Sequence, residues 1–445
     1  MPSVEAVIEA INAAYEAAGA DLAFARFGGL DGAAVLIELV EIRYGAVRVT
    51  GNAHTDAGYV LGRAGARPGD LADLRRLEDR LGRFPETEDI RVDAALAPGA
   101  AEGSTDLTLT VTEPPNLRRT VSVDTLGSPD SGRLRLGTTL SVASLTGLRD
   151  PLSVSLTASE GALSGVFAYA RPFGTEGARI GLTLTGERVR AVRAAAPLND
   201  LRTRAFQAGI AGSLPLRATS EASDFLTFGL THARDRSVLA GVVLTDQRTT
   251  ELALGSSHVR RFPGRGLVAL THALRVGRLD DRVTPARVSY LRHEGSLSGL
   301  YALGADWTLG GEARWQAGSR TLPVFAQFSP LGRSGVRGYA AASGATDAGV
   351  LARLELRRAP VDLGRSAQLS PAVFADAGRG ANRVGGAMVR GPLYRAVGLS
   401  LDLGGAAGRA GGFAGNLTLA LPLNDALPRV RKGRVQAAAS LSVQF

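Results

Sequence analysis

From about residue 117 to the last residue, apolar and polar side chains alternate with a period of two, and no helical period interrupts them. Ile180, Leu182 and Leu184 alternate with Arg179, Gly181, Thr183 and Thr185. Val350, Ala352, Leu354 and Leu356 alternate with Arg353, Glu355 and Arg357. The chain ends on Val435, Ala437, Ala439, Leu441, Val443 and Phe445, set against Gln436, Ser440, Ser442 and Gln444. A period of two is that of an extended strand, whose successive side chains point to opposite faces. Sixteen segments carry it, near 118–126, 132–142, 151–158, 162–171, 178–187, 203–213, 224–233, 247–259, 264–274, 286–297, 306–317, 349–357, 369–377, 394–403, 413–421 and 435–445. A soluble sandwich seldom runs to sixteen strands without a helix or a second core. An even number of amphipathic strands of about ten residues is the pattern of an outer-membrane barrel. A barrel of that size has a lumen too wide for side chains to fill, so it holds water or a plug.

Composition narrows the classes further. Hydrophobic residues make up 45% of the 445, which excludes wholesale disorder. No run approaches the ~18 apolar residues of a membrane helix, a test that strands escape because their hydropathy averages out. Cysteine is absent, which removes disulfides, thiolate metal sites and cysteine nucleophiles. Five histidines, His54, His232, His258, His272 and His293, are too scattered to form a metal motif, and no cofactor is expected. The net charge is +9, yet of the 51 basic residues only Lys432 is a lysine, and acidic residues are interleaved throughout. That distribution gives no basic face with aromatic platforms, so nucleic acid is not an expected partner. Two tryptophans and eight tyrosines leave any aromatic girdle sparse.

Before Pro114-Pro115 the patterns are mixed. Residues 4–18 repeat apolar side chains at helical spacing (Val4, Val7, Ile8, Ile11), and short strands follow near Asp21–Arg26 and Ala34–Val40. A fuller unit spans 43–114. It has a strand at Ala46–Thr50, a helix at Thr55–Gly65, and a second helix over 71–82 that Asp70 can cap. Strands at Ile90–Leu96 and Asp106–Val111 close it. This β-α-α-β-β order predicts a small α+β domain with a three-stranded sheet. Residues 1–42 look like the back half of a second such domain, which points to a start that precedes Met1. The first twenty residues carry Glu5, Glu9 and Glu16 and do not form a signal peptide.

Thr321–Ala348 is the longest stretch without clean alternation, and it joins two good strands. It contains Phe328, Leu331-Gly332 and Val336-Arg337-Gly338-Tyr339. Further on, Phe374, Asp376 and Gly378 fall on one face of a strand, though Gly378 could instead mark a bulge. An Arg337–Asp376 pair would hold the loop inside the lumen.

Val336-Arg337-Gly338-Tyr339 resembles the VRGY loop motif of outer-membrane assembly factors and two-partner secretion transporters. Phe374-x-Asp376-x-Gly378 resembles their partner strand motif, and the N-terminal units look like POTRA domains. Pro98-Gly99, Gly103-Ser104-Thr105-Asp106-Leu107 and Asp124-Thr125-Leu126-Gly127-Ser128 are most similar to the two-partner transporters of the hemolysin secretion/activation type. The resemblance implies a partial POTRA domain at 1–42 and a complete one at 43–114. It implies a 16-stranded antiparallel transmembrane barrel at 117–445 with a lumenal loop at 321–348. It further implies an outer-membrane location, periplasmic POTRA domains, and a pore that passes an unfolded exoprotein outward. The other expected partners are outer-membrane lipid and the barrel assembly machinery. Phe445 resembles the terminal aromatic used as an insertion signal, and the chain is expected to act as a monomer without catalysing a reaction. An assembly factor for other barrels shares the motifs and is the alternative. A passive porin would leave the POTRA units and the loop unexplained. An outer-membrane hydrolase needs a nucleophile beside a histidine, and no GxSxG occurs.

Overall fold

The computed structural model describes residues 3–445 except Asp21, Ala33, Ala196, Pro197, Arg333, 340–343, Arg365, 408–410 and 426–429. The alternating region closes into one antiparallel barrel in which neighbours in sequence are neighbours in the sheet. Its first strand, Leu117–Asp124, pairs with its last, Gln436–Gln444, from Ser440 opposite Asp124 to Gln444 opposite Thr120. Phe445 and Arg119 exchange backbone hydrogen bonds just beyond that seam, at 3.0 Å each way. Sixteen staves result, one of them in two pieces. Ala348–Arg358 and Val361–Gly364 both pair with Ala367–Val384, and the break between them is Ala359-Pro360. Proline has no N–H to give to the ladder, so the stave is interrupted there.

The period of two becomes two different faces. On Val242–Phe262, Leu252 and Leu254 are 62% and 59% exposed on the outer wall, while Thr249 and Glu251 are buried on the inner one. Several strands run well past the spans read from alternation, as in Val242–Phe262, Ala222–Leu239 and Ala387–Ala407. The extra residues include Arg234, Asp235 and Arg236, paired with Arg248, Gln247 and Asp246. Beyond the hydrocarbon both faces meet water, so pairing continues where the alternation stops.

At the N-terminus, helix α1 (Val4–Ala17) lies on a hairpin of β1 (Phe24–Asp31) and β2 (Ala34–Val40). The apolar stripe of α1 buries none of its residues, because a two-stranded hairpin is too narrow to cover it. Next come β3 (Arg43–Thr50), α2 (Ala57–Ala64), α3 (Leu74–Gly82), α4 (Phe84–Thr87), β4 (Arg91–Pro98) and β5 (Ser104–Thr112). β5 is central, parallel to β3 and antiparallel to β4. Val60, Leu77, Phe84, Ile90, Leu107 and Leu109 fill the space between this sheet and the helices.

The second helix departs from expectation. Its cap is Asp73, whose carboxylate accepts from Arg76 N–H at 2.8 Å, and not Asp70. The backbone at Asp70 and Leu71 instead bonds to β3, through Tyr44 N–H to Asp70 O and a bridge between Arg43 and Leu71. The helix therefore begins three residues later.

This unit docks on one end of the barrel through a buried ionic cluster. Glu88 accepts from Arg63 at 2.7 Å and from the Tyr59 hydroxyl at 2.6 Å, and it also pairs with Arg179 at the start of a barrel strand. The Arg63 and Glu88 side chains are 3% and 0% exposed. Burial pushes the Glu88 carboxyl above the usual carboxylate range, against the pull of Arg179, Tyr59 and Arg63. Arg149, in a barrel turn, reaches Asp89 at 2.8 Å, and Glu86 accepts from Ser223 at 2.6 Å. Removing one member of a buried pair strands the other charge, at a cost of about 3–5 kcal/mol. Glu88→Ala is therefore expected to loosen the docking while leaving the barrel intact. Spin-label distances between the unit and the barrel turn at 174–177 should change from one narrow distribution to a broad one.

Candidate functional site in the barrel lumen

The segment 319–347 leaves the end of the barrel opposite the docked unit and turns back into the lumen. Its neck is fixed by buried polar side chains. Asp347, 1% exposed, accepts from Leu322 N–H and from Arg383 N–H, both at 2.8 Å. Gln316 donates to Ala326 O at 2.9 Å. Phe328 and Thr346 then exchange backbone hydrogen bonds at 2.7 and 2.8 Å, an isolated bridge that draws the two arms of the loop together as it enters.

Arg337 sits near its tip. Its Nε and Nη2 each donate to Asp376 at 2.8 Å, and its backbone N–H donates to the same carboxylate at 3.0 Å. Nη1 donates to Glu355 at 2.7 Å. The guanidinium carbon lies 3.5 Å from the centroid of the Phe374 ring, so the cation rests on that π-face. Asp376 is 0% exposed at its side chain and Arg337 is 12% exposed. A bidentate pair shielded from water to this degree is stronger and more directional than a surface pair.

The neighbouring motif residues shape the approach. Val336 is fully buried and packs with Phe328, Leu331, Tyr339 and Leu351, a small apolar core against the inner wall. A Cβ on Gly378 would lie 2.9 Å from Val336 Cγ2, so only glycine lets the loop come this close. Gly378 is not a bulge, since the register shift on this strand falls between Arg379 and Ala381. Gly338 has φ +85°, and a Cβ there would also press on Ala420 at 2.9 Å. The Tyr339 hydroxyl lies 2.9 Å from Arg395 O and 3.1 Å from Asn424 O, and its ring meets Tyr394 edge-on. Of the expected loop span 321–348, Arg333 and 340–343 lie outside the described residues.

Val336–Tyr339 and Phe374, Asp376 and Gly378 thus meet at one place. Phe445 stands apart at the barrel seam, 56% exposed. Glu355, the second acceptor for Arg337, was not singled out in the sequence. Its position on the polar row Arg353, Glu355, Arg357 of an alternating strand was the available signal. A cavity of about 790 Å³ remains beside the loop, with Arg337, Tyr339, Arg353, Asp402 and Asn416 on its walls.

Arg337→Ala leaves a carboxylate at zero exposure with its main partner gone, a loss of about 3–5 kcal/mol. The amides of Phe328, Ser329, Leu331, Gly332 and Ser334–Tyr339 should then exchange at least about tenfold faster in detergent micelles, while the barrel strands keep their protection. Arg337→Lys cannot reproduce the bidentate geometry and should fall between the two.

Residues 103–405 match the family described as haemolysin secretion/activation protein ShlB/FhaC/HecB. No curated protein matches the sequence significantly. Among solved structures, CdiB from Escherichia coli is 20% identical with a TM-score of 0.75, over 99% of this chain and 84% of that one. CdiB from Acinetobacter baumannii is 17% identical with a TM-score of 0.70, over 100% and 82%. BamA from Haemophilus ducreyi lacking POTRA domains 1–3 is more distant, 13% identical with a TM-score of 0.57, over 100% and 94%. At these identities the likeness is one of fold, and the family match supplies the rest. The chain belongs to the haemolysin secretion/activation family ShlB/FhaC/HecB and is a two-partner secretion transporter of the outer membrane.

Proposed function

We propose that the units at 1–42 and 43–114 are POTRA domains, the first partial, that they face the periplasm, and that they receive an unfolded exoprotein before it enters the barrel. The support is an open sheet edge. Among the described residues β4 pairs only with β5 and has no partner strand on its other side, and Leu96 on it is 41% exposed beside α3. An extended segment can add to such an edge by main-chain hydrogen bonds, with side chains entering the groove beside the helix.

The segment then threads the lumen, whose polar rows offer hydrogen bonds without a continuous apolar trap. The loop of Val336–Tyr339 is the movable element in its path. Arg337, clamped to Asp376, Glu355 and the Phe374 ring, carries this reading: a cluster so heavily bonded fixes one loop position and supplies a defined barrier to leaving it. No Walker-type GxxxxGK[ST] is present, so folding of the exoprotein outside the cell supplies direction. Phe445 acts as the terminal aromatic read by the barrel assembly machinery during insertion, and the working form is a single barrel.

The test compares wild-type and deletion strains, quantifying proteins in the medium and in the outer membrane together. Loss of one large secreted protein with an unchanged membrane is expected. Broad depletion of outer-membrane barrels would instead make the chain an assembly factor. In the same assay, Arg337→Ala should cut secretion at least about tenfold at equal barrel abundance. Leu96→Lys should weaken capture of the exoprotein by the unit several-fold, read as Kd, without altering channel conductance.

A further inference from the structure

The outer wall carries a polar cluster, away from the lumen. It spans three neighbouring strands, Ala222–Leu239, Val242–Phe262 and Gly266–Asp281. Asp224 lies directly opposite His258, and Ser256 directly opposite His272. Ser256 and His258 are two apart on one strand and so share a face. That face is the outer one, because Leu252 and Leu254 on the same parity are exposed while Thr249 and Glu251 are buried inside. Leu226, Phe228 and Leu230 continue the row below Asp224, and Leu270 and Leu274 flank His272.

The hydrogen bonds form a directed chain. Arg260 grips the Asp224 carboxylate with Nη1 and Nη2, at 2.8 and 3.1 Å. Asp224 Oδ1 lies 2.7 Å from His258 Nδ1. A carboxylate only accepts, so Nδ1 carries the hydrogen and Nε2 of the neutral ring holds the lone pair. Ser256 Oγ lies 2.8 Å from that Nε2 and therefore donates to it. His272 Nε2 lies 2.9 Å from the same Oγ and donates to it in turn. The His258 and Asp224 side chains are 35% and 14% exposed, so the cluster is open to the surrounding medium.

Polar groups on a lipid-facing wall are costly, and an apolar row would have served the wall alone. We propose that these residues form an acyl-ester hydrolase site, with Ser256 as nucleophile, His258 as general base and Asp224 as the orienting carboxylate. Its substrate is the ester of a glycerophospholipid in the adjoining leaflet, the one on the side of the docked N-terminal unit. Ser223 and Arg261, next to Asp224 and Arg260, contact Glu86 of that unit, which places the site near that rim.

The steps balance with water as the only co-reactant. Ser256 Oγ bonds to the ester carbonyl carbon as its proton passes to His258 Nε2. The carbon–oxygen bond to the glycerol breaks, and that oxygen leaves with the proton as a lysophospholipid. Water then gives a proton to His258 and bonds to the acyl carbon, the acyl–Oγ bond breaks, and the proton returns to Oγ. His272 Nε2–H, already directed at Oγ, is the donor nearest the developing oxyanion.

The test uses the full chain, purified and reconstituted in vesicles of phosphatidylethanolamine and phosphatidylglycerol, or in vesicles of lipid A. Fatty acid and lysophospholipid should appear in equal amounts from the first and not from the second. A fluorophosphonate probe should label the protein once, at Ser256. Ser256→Ala should abolish labelling and lower release at least about 100-fold, as should His258→Gln. Asp224→Asn should lower kcat with KM unchanged. Each variant should keep the heat-modifiable gel mobility of a folded barrel. Absence of label at Ser256, or release unchanged by Ser256→Ala in a folded barrel, would overturn the proposal. Release from lipid A alone would overturn the choice of substrate.

Discussion

A strand that crosses a hydrocarbon layer can leave no backbone N–H or C=O without a partner, and that requirement governs everything else in this chain. It forces sixteen staves into a closed ring and makes the last strand find the first. Once the ring is closed, the period of two is fixed around its whole circumference, and each residue is committed to lipid or to lumen. The apolar row covers the outside. The inner row is free to carry charge, and Glu251, Arg275, Arg292 and Glu294, spread over three successive strands, form a network of ion pairs there.

The lumenal loop exploits that charged interior. It brings its own apolar residues, Phe328, Leu331, Val336 and Tyr339, and packs them with Leu351 and Ala396 of the wall. Packing alone would hold it loosely in a wet channel. The arginine supplies direction, since a planar guanidinium accepts one arrangement of carboxylates and ring and not its neighbours. Three strands contribute to the receiving surface: Glu355 comes from one, Phe374 and Asp376 from the next, and the Arg395 carbonyl from the third. The loop therefore braces the wall it rests on.

Most of this was legible along the chain. The sixteen strands appeared as alternation, because each crosses a boundary between two solvents. The meeting of Val336–Tyr339 with Phe374, Asp376 and Gly378 was read from motif and parity. Strand ends were not legible where both faces are wet, as at Arg234–Arg236. The start of α3 was misplaced because Asp70 and Asp73 are equally good caps by type, and only pairing with β3 separates them. Glu355 was hidden among similar charges. The Asp224, His258 and Ser256 cluster was invisible for another reason. Its members lie on two strands, and no spacing in the sequence shows that Asp224 stands opposite His258.

The barrel seam has a kinetic side. Thr125 and Ala439, joined there by hydrogen bonds, are 314 residues apart in sequence. Every other stave can pair with the one made just before it, but this junction must wait for the end of the chain. Contacts so distant close slowly. Until they form, the growing sheet shows two unsatisfied edges, each a template for the wrong strand. The last nine-residue strand is thus a timing element: it ends the interval in which the molecule is most vulnerable to misassembly.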